Sequence, residues 1–177
     1  MDRFRFASGI AAGVICIAHL SLFLQGQAAT QPKPPQLRFV FEERVTLAAD
    51  IPVGETPMGK RNIVPITGGT FEGPELRGKI MPGGWDWQLT HPSGCFDLHA
   101  DYMIQTEDGV IIHVMNEGRV CPNSSGKRDA LFTTPAFEAP KGKYDWLNGG
   151  VYAGTVDVMK IDSKPAVRIR FYKAYAD

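Results

Sequence analysis

Residues 95–121 read CFDLHADYMIQTEDGVIIHVMNEGRVC, and their reading decides the fold. Thr106-Glu107-Asp108-Gly109 is a strong turn between two long runs of β-branched and aromatic residues. If the turn centres on Asp108, Ile104 faces Ile112, Tyr102 faces Val114, Ala100 faces Asn116, Leu98 faces Gly118 and Phe96 faces Val120. That set is a mostly apolar face. The opposite face pairs Met103 with His113, Asp101 with Met115, His99 with Glu117 and Asp97 with Arg119. Unlike charges and acid–imidazole pairs opposite one another favour this register, and a slip of one residue would scramble both faces. The same register sets Cys95 opposite Cys121. Facing residues on antiparallel strands lie within disulfide reach, so a structural bond between Cys95 and Cys121 is expected. Two reduced thiols separated by a bulge are the alternative.

Outward from this hairpin, alternation of period 2 dominates and long helical periodicity is absent. Leu37, Phe39 and Phe41 alternate with Arg38, Val40 and Glu42. Asn62 to Thr70, Lys79 to Met81, Trp85 to Leu89, Val151 to Lys160 and Val167 to Tyr175 are further strand-like runs. Gly68-Gly69, Gly73-Pro74, Pro82-Gly83-Gly84, Pro122-Asn123 and Gly149-Gly150 punctuate them. Short strands with frequent Gly and Pro turns imply an all-β fold. The expectation is an antiparallel up-and-down β-barrel of calycin or lipocalin type, with about eight strands and little helix, because a closed meander removes sheet edges.

The first residues differ from the rest. Arg3 and Arg5 precede an apolar run from Ala7 to Leu24, followed by small residues around Gly26-Gln27-Ala28. Basic, apolar and small-residue regions in that order form a secretory signal. The expected organisation is a signal peptide at 1–28, a proline-rich lead-in at 29–36 and a single barrel domain at 37–177. The protein is then periplasmic or secreted. The alternative is an uncleaved membrane anchor, although the run is short for a membrane span. Cys16 lies mid-run without the small residue before it that a lipoprotein needs. The 177 residues carry 19 Lys plus Arg and 19 Asp plus Glu. Taking away Asp2, Arg3 and Arg5 leaves 17 basic and 18 acidic residues. With no basic stripe, nucleic acid is not an expected partner.

No metal site is expected. His91, Cys95, Asp97 and His99 are close in sequence, but Cys95 and His99 lie about 13 Å apart along a strand, and zinc needs its ligands at about 2 Å. There is no Gly-x-Ser-x-Gly elbow and no phosphate loop, and no cofactor is called for. Gly68-Gly69 is read as a bulge or barrel corner. Asn123-Ser124-Ser125 is a formal glycosylation acceptor, relevant only in a eukaryotic secretory pathway. What remains is polar residues among aromatics. In Trp85-Asp86-Trp87, Asp86 is either an exposed charge or, if its face lines the lumen, a desolvated carboxyl with a raised pKa. Arg61 is a candidate partner for it or for an anionic ligand. Tyr144-Asp145-Trp146-Leu147-Asn148 is a second cluster. Against each stands a structural reading: aromatic plugs and polar groups that tie loops down.

The chain resembles the family catalogued as domain of unknown function 3237. The resemblance rests on Gly59-Lys60-Arg61, Pro65-Ile66-Thr67-Gly68-Gly69-Thr70-Phe71-Glu72-Gly73-Pro74, Leu76-Arg77-Gly78, Pro82-Gly83-Gly84-Trp85-Asp86-Trp87-Gln88, Asp108-Gly109, Phe132-Thr133-Thr134-Pro135 and Tyr144-Asp145-Trp146-Leu147-Asn148. It implies a small β-barrel and brings no established general activity with it. The leader and the cysteine pair depart from the pattern and imply adaptation to the cell envelope. The functional expectation is a barrel binding a small apolar or aromatic ligand in its lumen, with Trp87, Trp146, Asn148 and Tyr102 as contacts. Its catalytic extension is cofactor-free acid–base chemistry of isomerase or lyase type, with Asp86 as base and Arg61 as anion stabiliser. The alternative is a non-catalytic envelope protein acting through self-association, as a homo-oligomer, or through another protein.

Overall fold

The computed structural model describes residues 32–176, and the leader at 1–28 lies outside them. Ten strands follow in order: β1 (Gln36–Leu47), β2 (Ile51–Thr56), β3 (Gly59–Glu72), β4 (Arg77–Ile80), β5 (Gly84–Thr90), β6 (Phe96–Thr106), β7 (Ile111–Val120), β8 (Phe132–Glu138), β9 (Tyr152–Ile161) and β10 (Lys164–Tyr175). A 3-10 turn at Asp145–Leu147 precedes β9. All named pairings are antiparallel. β1 and β2 follow one another along β3, facing residues 66–72 and 59–63 in turn. β4 and β5 likewise fill successive halves of the slot between β3 and β6. Ten segments therefore occupy eight positions in chain order, and β10 closes the ring on β1. This is the expected up-and-down barrel.

The two split strands show where the chain must turn. Gly68 and Gly69 both sit at φ near +137°, a region that L side chains rarely adopt, and the β1–β3 register slips beside them. They take a corner, as their sequence implied. Between β4 and β5, Gly83 N–H donates to the Ile66 carbonyl and Met81 N–H to that of Met103.

The β6–β7 register runs from Phe96–Val120 to Ile104–Ile112, as read from the sequence. Cys95 and Cys121 are joined by a disulfide, with their Cα atoms 4.0 Å apart. On the outer face Asp97 takes two bonds from Arg119, at 2.6 and 2.7 Å, and His99 Nδ1 lies 2.6 Å from Glu117.

β1 departs from simple alternation. A bulge between Phe39 and Phe41 resets its phase. Leu37 and Phe39 are exposed, whereas Val40, Phe41, Glu43 and Val45 are buried. Phe41 stacks on Phe71, Phe137 and Phe171 with ring centroids 4.9–5.8 Å apart, and Tyr152 adds an edge-on contact to Phe137. These aromatics fill the lumen toward the end carrying the Asp108 turn.

Gly84 lets Tyr102 into the interior. A Cβ at Gly84 would overlap the Tyr102 Cβ and lie 2.9 Å from the Asp101 carbonyl. Gly84→Ala is expected to cost about 1–3 kcal/mol, the usual range for overpacking. A urea midpoint equal to wild type would refute that tight fit.

Candidate functional site

Inward positions on adjacent strands form register rows. One row is Val64, Asp86, Ala100, Asn116, Pro135 across β3, β5, β6, β7 and β8. The next toward the plug carries Tyr102, Val114 and Phe137. The next toward the disulfide carries Leu98, Gly118 and Thr133. Asp86, Tyr102, Asn116 and Thr133 thus surround the small residues Ala100 and Gly118. Glu43 joins them from β1, where Tyr102 Oη–H donates to Glu43 Oε2 at 2.6 Å.

The electrostatics follow from burial. Glu43 has no exposed surface, and desolvation pushes its carboxyl from 4.5 up to about 8 against the lowering effect of the Tyr102 bond. Tyr102 is raised well above its ordinary value by the same desolvation and by the neighbouring carboxylate. Asp86 is raised by burial. It is partly held down by Gln88, which donates to Oδ2 at 2.7 Å, and by the His99 backbone N–H at 3.1 Å on Oδ1. Glu43 Oε1, both polar atoms of the Asn116 amide and Thr133 Oγ1 are buried without a hydrogen-bond partner from the protein. Each such group costs about 1–3 kcal/mol, so an interior serving packing alone would carry apolar side chains there.

Above this cluster, at the disulfide end, a cleft of about 270 Å³ opens at the barrel mouth, bordered by Lys60, Arg61, Asn62, Gln88, Thr90 and Phe96. Asn62 Nδ2 donates to Gln88 Oε1 at 3.3 Å. The chain Asn62–Gln88–Asp86 therefore leads from the open mouth to the buried carboxyl.

The candidates named from sequence separate into two groups. Asp86 and Tyr102 share the interior. Arg61 pairs with Leu89, one step out of phase with Asp86, and its guanidinium reaches the Trp87 carbonyl at 3.5 Å rather than the carboxylate. Trp87 is 45% exposed, pointing away from Asp86. Asn148 is occupied: its amide accepts from Ala139 N–H at 2.7 Å and donates to the Ala139 carbonyl at 2.9 Å, which closes a loop. Trp146 lies on the 3-10 turn under Lys173, whose Nζ is 5.4 Å from the ring. Glu43, Asn116 and Thr133 were not picked out. The signal for Asn116 was present, since it stands as the polar member of the apolar face of the hairpin.

A family model described as a protein of unknown function, DUF3237, matches residues 35–174. The chain belongs to the DUF3237 family. A UPF0311 protein of Clostridium acetobutylicum is 31% identical over 147 residues, spanning 76% of this chain and 90% of that protein. A crystal structure from Acinetobacter baumannii, described as a beta-barrel like protein, aligns with TM-score 0.70 and 32% identity over 82% of this chain and 99% of its own. A hydroalkoxylation enzyme of Penicillium herquei is 26% identical over 139 residues, 78% of this chain and 86% of that enzyme. The chain is thus a β-barrel-like member of DUF3237 with a distant relative that is an enzyme.

Proposed function

We propose that this DUF3237 barrel is exported, binds a small apolar or aromatic molecule through its open mouth and performs cofactor-free acid–base chemistry on it. The observation that carries the reading is the sealed pair of Glu43 and Tyr102 among unpartnered polar atoms beneath an open cleft. Two carboxyls in differently tuned surroundings supply an acid and a base. Glu43 is the protonated member at neutral pH, and the proton on Oε1 has no protein acceptor. Asp86, held by two donors, is the base, uncovered when the Gln88 amide turns aside. The Penicillium herquei relative supports addition of a hydroxyl across a carbon–carbon double bond as the reaction class. In that step Asp86 removes the hydroxyl proton, the oxygen bonds one alkene carbon, and Glu43 protonates the other. The proton then returns from Asp86 to Glu43 through solvent, leaving the enzyme unchanged. Arg61, at the rim, is placed to meet an anionic group on the incoming ligand. The Cys95–Cys121 bond supports the exported location, because disulfides persist in oxidising compartments.

The test uses the purified mature chain with 2-prenylphenol as probe, following the isomeric cyclic ether by its chromatographic separation from the phenol. Asp86→Asn and Glu43→Gln are each expected to lower turnover 100-fold or more, in the range for loss of a general acid or base (~10²–10⁴). Turnover unchanged in both variants, or wild type that neither converts nor retains the probe, sinks the proposal. A second reading has its own observation. Trp85, Trp87, Met103 and Met115 are exposed together on the outer faces of β5, β6 and β7. If self-association is the function, sedimentation shows a dimer that Trp87→Ser abolishes.

A further inference from the structure

We infer that Asn116 and Thr133 recognise the polar end of the ligand, and that this end carries a hydroxyl and a carbonyl oxygen on neighbouring carbons or across a hydrogen-bonded ring. The inference rests on the interior being a ligand site, as proposed above, and adds the class of molecule that fits it.

Asn116 is fully buried, and neither its amide oxygen nor its amide nitrogen has a partner. A buried amide normally finds protein partners; even the exposed Asn148 is held on both sides by Ala139. Asn116 offers a donor and an acceptor side by side. The complement is a molecule with an acceptor beside a donor. A hydroxyl proton goes to Oδ1, and a carbonyl oxygen takes the Nδ2 hydrogen. Thr133 stands on the adjoining strand in the next row and points into the same interior, with Oγ1 also unpartnered. Its methyl lies toward Gly118 and its hydroxyl over Gly154, so it meets the same polar end from the β9 side.

The neighbours leave room for such a group. Ala100 faces Asn116 on β6, and Gly118 is the next inward residue on β7 and faces Thr133. Ala100 leaves the space in front of the amide free of a large side chain on its own strand pair, while the Thr133 methyl and Leu131 close over Gly118. Across Ala100 lies Asp86, two strands or roughly 10 Å from Asn116. A ring held by Asn116 at one edge therefore presents its other edge to the carboxyl. A site whose polar groups are built for a partner discriminates sharply against ligands lacking that partner.

The test titrates the mature chain with 2′-hydroxyacetophenone, which carries both oxygens, and with acetophenone, which lacks the hydroxyl. Wild type is expected to bind the first at least tenfold more tightly. Asn116→Leu removes that preference, and Thr133→Val weakens binding of both ketones. Because an unpartnered amide is removed, Asn116→Leu melts no lower than wild type. Equal affinity for the two probes in wild type overturns the inference and leaves the ligand site standing. A preference that survives both substitutions does the same. If neither probe binds wild type, the inference and the reading beneath it both fall. A lower melting temperature for Asn116→Leu with an unaltered preference assigns the amide to structure and overturns its role.

Discussion

Between about pH 5 and pH 8 the wild-type protein is expected to lose stability steadily, and Glu43→Gln to lose far less. The native carboxyl of Glu43 holds its proton up to about 8, whereas the unfolded chain releases it near 4.5. Over that interval the native state binds one more proton than the unfolded state, so stability falls as pH rises. The contribution is fully present below pH 4.5 and is gone once pH passes the native value. A gap of about 3.5 units corresponds to on the order of 5 kcal/mol, a large share of a domain's stability. Gln keeps the shape and can accept the Tyr102 hydroxyl, but it has no charge to bury. The two proteins are thus close at pH 5 and diverge toward pH 8, with the variant the more stable. Asp97 works in the opposite sense in acid. Arg119 holds its carboxyl well below the usual range, and that contribution disappears as pH falls through the native value. The measurement is urea unfolding at intervals from pH 4.5 to 8.5. Parallel curves would mean that Glu43 is solvated and that the acid assigned to it does not exist.

The contrast between Glu43 and the β6–β7 hairpin shows what the sequence carries. The hairpin is local. Its turn, alternation and charge pairs lie within 27 consecutive residues, and each constrains the register independently, so the row of Ala100 opposite Asn116 is legible without coordinates. Glu43 is legible only through closure. Its partner Tyr102 is 59 residues away, while the bulge at Val40, which no turn signal announces, decides the phase of the residues before it. Read without that bulge, Phe39 joins Phe41 on the inner face. The structure puts Phe39 outside. For Asp86 the flanking tryptophans gave the alternation but not its sense. Burial of the carboxyl and exposure of both indoles decide it, against the tendency of tryptophan to be largely buried. Arg61 shows the cost of judging by sequence motif alone. It lies three residues from Val64, the partner of Asp86, and an odd spacing sends a side chain to the other face of the sheet. Asn148 has a local duty that its sequence neighbours do not reveal, since its amide serves the backbone of its own loop.

Cys95→Ser with Cys121→Ser is expected to lower stability by about 3 kcal/mol and the melting temperature by roughly 10 °C. The bond closes a segment with a sequence separation of 26. For a loop of that length, the entropy removed from the unfolded chain amounts to about 3.5 kcal/mol. The native hairpin around it is held by other forces. Asp97 and Arg119 form a bidentate pair two residues inward. Arg128 ties the loop after β7 to the Gly94 carbonyl at 2.8 Å and lies over the Phe96 ring at 5.5 Å. Loss of the bond should therefore loosen the mouth and leave the far end alone. Hydrogen exchange is expected to quicken at residues 95–98 and 118–121, while the amides of Tyr102 and Val114, opposite each other against the aromatic plug, stay protected. The cleft lies at that same end, bordered by Phe96. A looser mouth therefore exchanges ligand faster, and 2′-hydroxyacetophenone should dissociate more quickly from the variant than from wild type. If reduction moves neither the melting temperature nor exchange at the mouth, the bond constrains nothing that the hairpin does not already hold. The disulfide would then have no part in shaping the ligand's path.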